Sequence, residues 1–175
     1  DHTTLIELLQ ENSYFTNYYY GGWGYFDNVG NYLKEKGIDN FFTEDNFDTN
    51  EYVRGENTWG YNDKSLFLQS LEDMKTHDLE SPYLNIYQTI SNHSPYNIIE
   101  EGYAKASFIE TRLREIGLSK KEVSRIPDKV LSSIFFADDA LKDFITTYKK
   151  RDDFDNTIFI ITGDHGVNLN LSEGI

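Results

Sequence analysis

Asp164 and His165 stand side by side between Gly163 and Gly166, at the end of the run Thr157-Ile-Phe-Ile-Ile-Thr162. A carboxylate next to an imidazole is a donor pair suited to a hard-to-borderline divalent cation such as Mn²⁺ or Zn²⁺. The flanking glycines let the backbone bend where those donors would turn toward an ion. A second histidine, His93, lies in Ser91-Asn-His-Ser-Pro95, just after the run Tyr83-Leu-Asn-Ile-Tyr-Gln-Thr-Ile90. A third run, Tyr14–Tyr20, stops at Gly21-Gly22. Each feature also has a plain reading. An Asp-His pair can be a turn with a surface histidine, and His93 ahead of Ser-Pro can merely orient a turn. Trp59 can be an ordinary aromatic and Asp63 a helix cap, while His2 and His77, in polar segments, read as surface residues.

The elements that must position these residues follow from hydrophobic periodicity. Continuous apolar or β-branched runs of this length suit strands covered on both faces, so 14–20, 83–90 and 157–161 are expected as strands. A further short strand is expected within 38–47. Thr3 or Thr4 can cap a first helix bearing Leu5, Ile6, Leu8 and Leu9. Phe26 to Lys36 reads as a short helix closed by Gly37. Asp63 is expected to cap a helix carrying Leu66, Phe67, Ser70, Leu71 and Met74. The clearest helix spans 129–150, with Val130, Ile134, Ala137, Leu141, Phe144, Ile145 and Tyr148 as its apolar stripe. Residues 50–62 read as loop, and 97–128 as a polar segment that is helical in parts.

Helix and strand in alternation predict an α/β fold, a mostly parallel sheet sandwiched by helices. In such a sheet the strand ends fall along one edge, where ligands bind. His93 and the Asp164/His165 pair are therefore expected near one another, as part of a metal site that needs further ligands.

Composition narrows the function classes. The 175 residues suffice for one domain, and 38% apolar with 15% aromatic residues is a folding composition. A net charge of −14 argues against nucleic acid or an anionic membrane as the main partner. It leaves a phosphorylated substrate open, because a bound cation reverses the local field. With no cysteine there is no disulfide, no thiolate zinc site and no cysteine nucleophile. No apolar run reaches the roughly 20 residues of a membrane span, so any anchor is expected outside these residues.

Taken in order, the segments Leu5–Leu9, Tyr19-Tyr-Gly-Gly22, Phe26-Asp-Asn28, Thr58-Trp-Gly-Tyr-Asn-Asp63, Thr89-Ile-Ser-Asn-His-Ser-Pro-Tyr96, Asp138-Asp-Ala-Leu141, Asp155–Phe159 and Thr162-Gly-Asp-His-Gly166 cover nearly the whole chain. In that order they resemble the sulfatase-like domain of the alkaline phosphatase superfamily, and within it the lipoteichoic acid synthase and phosphoglycerol transferase branch. The resemblance implies that Asp164 and His165 bind a divalent metal, with Mn²⁺ favoured over Zn²⁺, Mg²⁺ or Ca²⁺. It implies that His93 contacts the transferred phosphoryl group or its leaving oxygen. Tyr20, Gly21, Asp27, Trp59 and Asp63 would line the substrate pocket.

The family's threonine or serine nucleophile is matched by neither Thr3 nor Thr4. The resemblance therefore implies that the chain is an internal part of a longer enzyme, weak or inactive alone. The implied substrate is a phosphoglycerol lipid or glycan, handled at the extracytoplasmic face of a bacterial membrane by an anchored parent. Where polymer synthases of the branch carry histidine, tryptophan and arginine, Tyr20, Asp27 and Val29 stand here, and Val29 cannot clamp a phosphate. Two other readings are a sulfate-ester hydrolase and a noncatalytic module for anionic glycans or lipid headgroups.

Overall fold

The computed structural model describes residues 2–49, 51–52, 54, 59–76, 81–97 and 106–166, with 106–110 by backbone alone. Thr58 and His77 lie outside the described residues. Strand β1 (Phe15–Tyr20) runs between β2 (Asn40–Phe42) and β3 (Tyr83–Gln88), and both neighbours are parallel to it. Thr16, Asn17, Tyr19 and Tyr20 are all buried, so consecutive side chains on opposite faces are covered. That is the two-sided burial expected of a parallel sheet.

Two cross-strand ladders fix the register. Asn17 stands opposite Asn40 and Asn85. The Asn17 amide donates to Asn85 Oδ1 at 2.8 Å, and the Asn40 amide donates to Asn17 Oδ1 at 3.1 Å. Two residues along, the Tyr19 ring stacks on Phe42 (4.7 Å) and on Tyr87 (5.1 Å). A one-residue slip would break both ladders and turn every side chain to the wrong face. The Tyr19 hydroxyl donates to Asp73 at 2.6 Å, which also satisfies its polar end.

Helices connect and cover the strands. Helix α1 (Leu5–Gln10) starts at a capping box between Thr4 and Glu7, whose carboxylate accepts the Thr4 N–H. Helix α2 (Val29–Glu35) follows a single 3-10 turn and ends before Gly37, whose φ of +80° closes it. Helix α3 (Asp63–Asp73) and the long α6 (Asp128–Tyr148) pack together, with Phe67 and Leu71 against Ala140, Phe144 and Tyr148 over Tyr83 and Tyr87 of β3. Two shorter helices, α4 (Ala106–Glu115) and α5 (Lys120–Val123), fall within the polar stretch, and α4 contacts α6.

Three expectations are corrected. The helix starting at Asp63 is capped by Asn62, whose side chain accepts the Ser65 N–H at 2.9 Å, which frees Asp63 for another task. On α6 the inward face is turned from the expected stripe: Leu131, Phe136 and Ala140 are buried, whereas Ile134 is exposed. The third correction concerns residues 157–161, which form no strand. Thr157 is half-buried and Phe159, at 36% exposure, sets its ring against Phe144, Tyr148 and Phe154, while Ile158, Ile160 and Ile161 are 88, 86 and 69% exposed. An apolar run states that a segment suits burial; the backbone partner that would make it a strand has to come from elsewhere.

A polar knot holds the start of that segment. Arg151 makes two bonds to the Asp153 carboxylate, at 2.9 and 3.0 Å, and the Tyr83 hydroxyl donates to the same group. Burial pushes the Asp153 carboxyl up, but the bonds from Arg151 and Tyr83 outweigh it and hold it below the ordinary range. A depressed carboxyl contributes stability above the unfolded-state value and loses it as pH falls through the folded-state value. Asp153→Asn should therefore unfold more easily at neutral pH, by about 1–2 kcal/mol. The gap from the unsubstituted chain should close in acid. Denaturant titrations at both pH values check this; a gap that persists in acid would deny the ion pair its role.

Candidate functional site

The C-terminal ends of β1 and β3 are held together by one segment, Trp59 to Asp63. Its backbone threads against the glycines after β1: the Tyr61 N–H donates to Gly21 O at 2.8 Å. A Cβ on Gly21 would come within 2.5 Å of Tyr61 O, and one on Gly60 within 2.1 Å of Gly21 O. Gly60 also has φ +133°, so both positions need glycine for the two strands of loop to touch. Tyr20 is 2% exposed beside them. Burial, followed by the nearby Glu44 carboxylate, pushes its hydroxyl pKa up, so it remains a neutral hydrogen-bonding group.

At the other end of the segment, Asp63 is 1% exposed. Its Oδ1 accepts the Ile90 N–H at 2.9 Å and the Ser91 N–H at 3.0 Å, while its own N–H donates to Ser91 Oγ at 3.0 Å. Burial raises the Asp63 carboxyl pKa, and those N–H groups pull in the opposite direction. The carboxylate thus holds the turn after β3 rather than a helix end.

His93 stands two residues beyond that clasp. Its backbone N–H donates to Ile90 O at 2.9 Å, and its Nδ1 lies 2.7 Å from Ser94 O. A carbonyl oxygen can only accept, so this bond puts the proton on Nδ1 and leaves Nε2 as the ring's available nitrogen. The Trp59 ring lies 4.6 Å from the imidazole and 5.2 Å from the Phe26 ring, edge-on to the latter. Asp27 follows Phe26 on an exposed turn in which it and Asn28 take φ of +47° and +63°.

Tyr20, Gly21, Trp59, Asp63 and His93 therefore meet at one edge of the sheet. Phe26, Tyr61 and Ser91 join them without having been singled out from sequence. Glycines at 21, 22 and 60 were the signal that two loops approach closely; nothing in the sequence marks Ser91 as the partner of Asp63.

Asp164 and His165 sit apart in character. Both are exposed, and the Asp164 carboxylate accepts the His165 N–H at 2.8 Å. His165 Nδ1 lies 2.9 Å from Gly166 O, which leaves Nε2 as the nitrogen that could bind a metal. The donor types fit a divalent cation. Among the described residues, however, no three His, Asp or Glu side chains gather as an ion-binding group, so His93 does not complete this pair. Residues 157–161, which lead to the pair, form no strand.

A family model described as Sulfatase matches residues 1–173. Curated relatives include a lipoteichoic acid synthase-like protein, YvgJ, and lipoteichoic acid synthase 2, both of Bacillus subtilis, 26% identical over 93% of this chain and 28% identical over 96%. The chain spans about a quarter of those relatives, 24% of each. Among solved structures, a Listeria monocytogenes lipoteichoic acid synthase, LtaP, is similar in fold. It has a TM-score of 0.62 and 19% identity, over 84% of this chain and 33% of its own. An alkaline phosphatase superfamily protein of Vibrio parahaemolyticus gives 0.59 at 25% identity, over 85% of this chain and 32% of its own.

Proposed function

The chain belongs to the sulfatase family, and from that premise we propose that it forms part of the catalytic domain of a metal-dependent phosphoryl-group transferase or hydrolase. Its substrate is a phosphoglycerol lipid or glycan, or a related phosphodiester, at the extracytoplasmic face of a bacterial membrane. The observation that carries this reading is the convergence of His93, Trp59, Tyr20 and Gly21 at the C-terminal edge of a parallel sheet, where α/β folds place their ligands. The relatives named as lipoteichoic acid synthases support the phosphoglycerol branch. Their greater length supports placing the nucleophile and the membrane anchor outside these residues. Among the described residues no helix is long and apolar enough to cross a membrane.

Within the site, His93 offers Nε2 to the transferred phosphoryl group or its leaving oxygen, with Nδ1 committed to Ser94 O. A ring so held donates a proton from Nε2 when charged and accepts one when neutral. Trp59 and Phe26 present apolar surface beside it, suited to the glycerol or sugar part of a substrate. Tyr20 contributes a neutral hydroxyl and Asp27 an exposed carboxylate at the rim. Asp164 and His165 are the proposed metal ligands. They would hold a divalent cation, which when bound would neutralise charge on the phosphoryl oxygens and lower the nucleophile's pKa.

The test is turnover. The full-length protein with Mn²⁺ should release diacylglycerol from phosphatidylglycerol and leave p-nitrophenyl sulfate intact. Cleavage of the sulfate ester without phosphodiester turnover would replace this reading with that of a sulfatase.

A further inference from the structure

We infer that Asp63 is a positioning residue for His93, acting through the backbone of the turn after β3, and that it touches no substrate. The inference rests on the reading of His93 as the group that acts on the phosphoryl centre. A buried carboxylate is costly unless its oxygens are bonded. Asp63 is nearly inaccessible, and its Oδ1 is occupied by two consecutive backbone N–H groups, those of Ile90 and Ser91. The bond from Asp63 N to Ser91 Oγ closes the clasp from the opposite side. Ile90 is also the residue whose carbonyl accepts the His93 N–H. A displacement of Ile90 and Ser91 is therefore transmitted directly to the backbone that carries the imidazole.

The same segment acts on the ring itself. Four residues before Asp63, Trp59 lies against the imidazole at 4.6 Å. Between them, Tyr61 N–H is tied to Gly21 O. Residues 59–63 are thus a short staple fastened to the turn after β1 at Tyr61, to the turn after β3 at Asp63 and to the His93 ring at Trp59. Helix α3 begins at Asp63, so the staple is anchored to the Phe67 and Leu71 core. Side chains that set the geometry of a reacting group without touching substrate can matter as much as those that touch it: displacements of roughly 1 Å can cost about 10²-fold in rate.

NMR on the full-length protein tests this without any assay of activity. In Asp63→Ala the Ile90 and Ser91 amides should lose at least about tenfold in exchange protection. Trp59–His93 ring NOEs should vanish, and the ¹⁵N signature of the Nδ1–H tautomer should change. Asp63→Asn keeps an oxygen acceptor for both N–H groups and should restore the NOEs and the tautomer. Ser91→Ala, which removes one hydroxyl, should weaken the same NOEs and serves if the alanine variant does not fold. NOEs and tautomer unchanged in Asp63→Ala, or in Ser91→Ala where that variant stands in, would overturn the inference, as would their loss in Asp63→Asn. None of these outcomes depends on whether His93 is catalytic; that is decided separately by turnover of His93→Ala.

Discussion

His93→Ala is expected to leave metal content unchanged and to cut phosphodiester turnover by about 10²–10⁴-fold, the usual contribution of a positioned acid or base. The ring's Nδ1 is committed to Ser94 O and Trp59 lies tilted against it, so the variant removes the Nε2 function. Because His93 is exposed, folding should be little affected, and thermal unfolding of the variant should match the parent. The loss should fall on kcat rather than KM, since the substrate's apolar part would still meet Trp59 and Phe26. His93→Gln, which keeps a hydrogen-bonding group but cannot shuttle a proton, should separate proton transfer from simple hydrogen bonding. Normal turnover in His93→Ala would remove His93 from the mechanism. Loss of bound metal in that variant would make it a ligand instead.

Much of the scaffold behind that prediction was legible in the sequence. The runs 14–20 and 83–90 contain β1 and β3: β1 is buried on both faces and β3 is half-buried along its length, which suits stretches rich in aromatic and β-branched residues. The long helix appeared within a residue or two of its expected ends, with Phe144 and Tyr148 in the core as anticipated. Its inward face was less legible. Periodicity alone gives a stripe, and the choice between Ile134 and Leu131 belongs to what packs opposite, here Leu113 of α4 and Ile126 on Leu131. The site was legible by residue type and only partly by role. Asp63 has the ideal chemistry for a helix cap, yet Asn62 takes that position because Asp63 is drawn to the β3 turn 27 residues away. A contact at that separation leaves no local trace.

The segment 157–161 failed for a related reason. Its composition is indistinguishable from that of a central strand, but a strand exists only where a neighbour accepts and donates along its backbone. Here Phe159 finds the α6 aromatics while the isoleucines face outward.

Asp164→Ala should abolish specific Mn²⁺ binding by the full-length protein, read by calorimetry, and should abolish turnover with it. The carboxylate is the only charged donor of the pair, and a neutral imidazole alone holds Mn²⁺ poorly. A metal that neutralises phosphoryl charge supplies several kcal/mol of transition-state stabilisation, which corresponds to about 10³-fold or more in rate. Asp164→Ala should therefore exceed all but the upper end of the range expected for His93→Ala, and excess metal should not restore it. The fold should be unaffected, because both side chains are exposed and, among the described residues, are bonded within their own turn. The two variants thus predict opposite calorimetric results: binding kept without His93 and lost without Asp164. Normal metal binding by Asp164→Ala would move the metal site elsewhere in the protein. Loss of binding with turnover intact would mean that the bound ion is structural and that the chemistry proceeds without it.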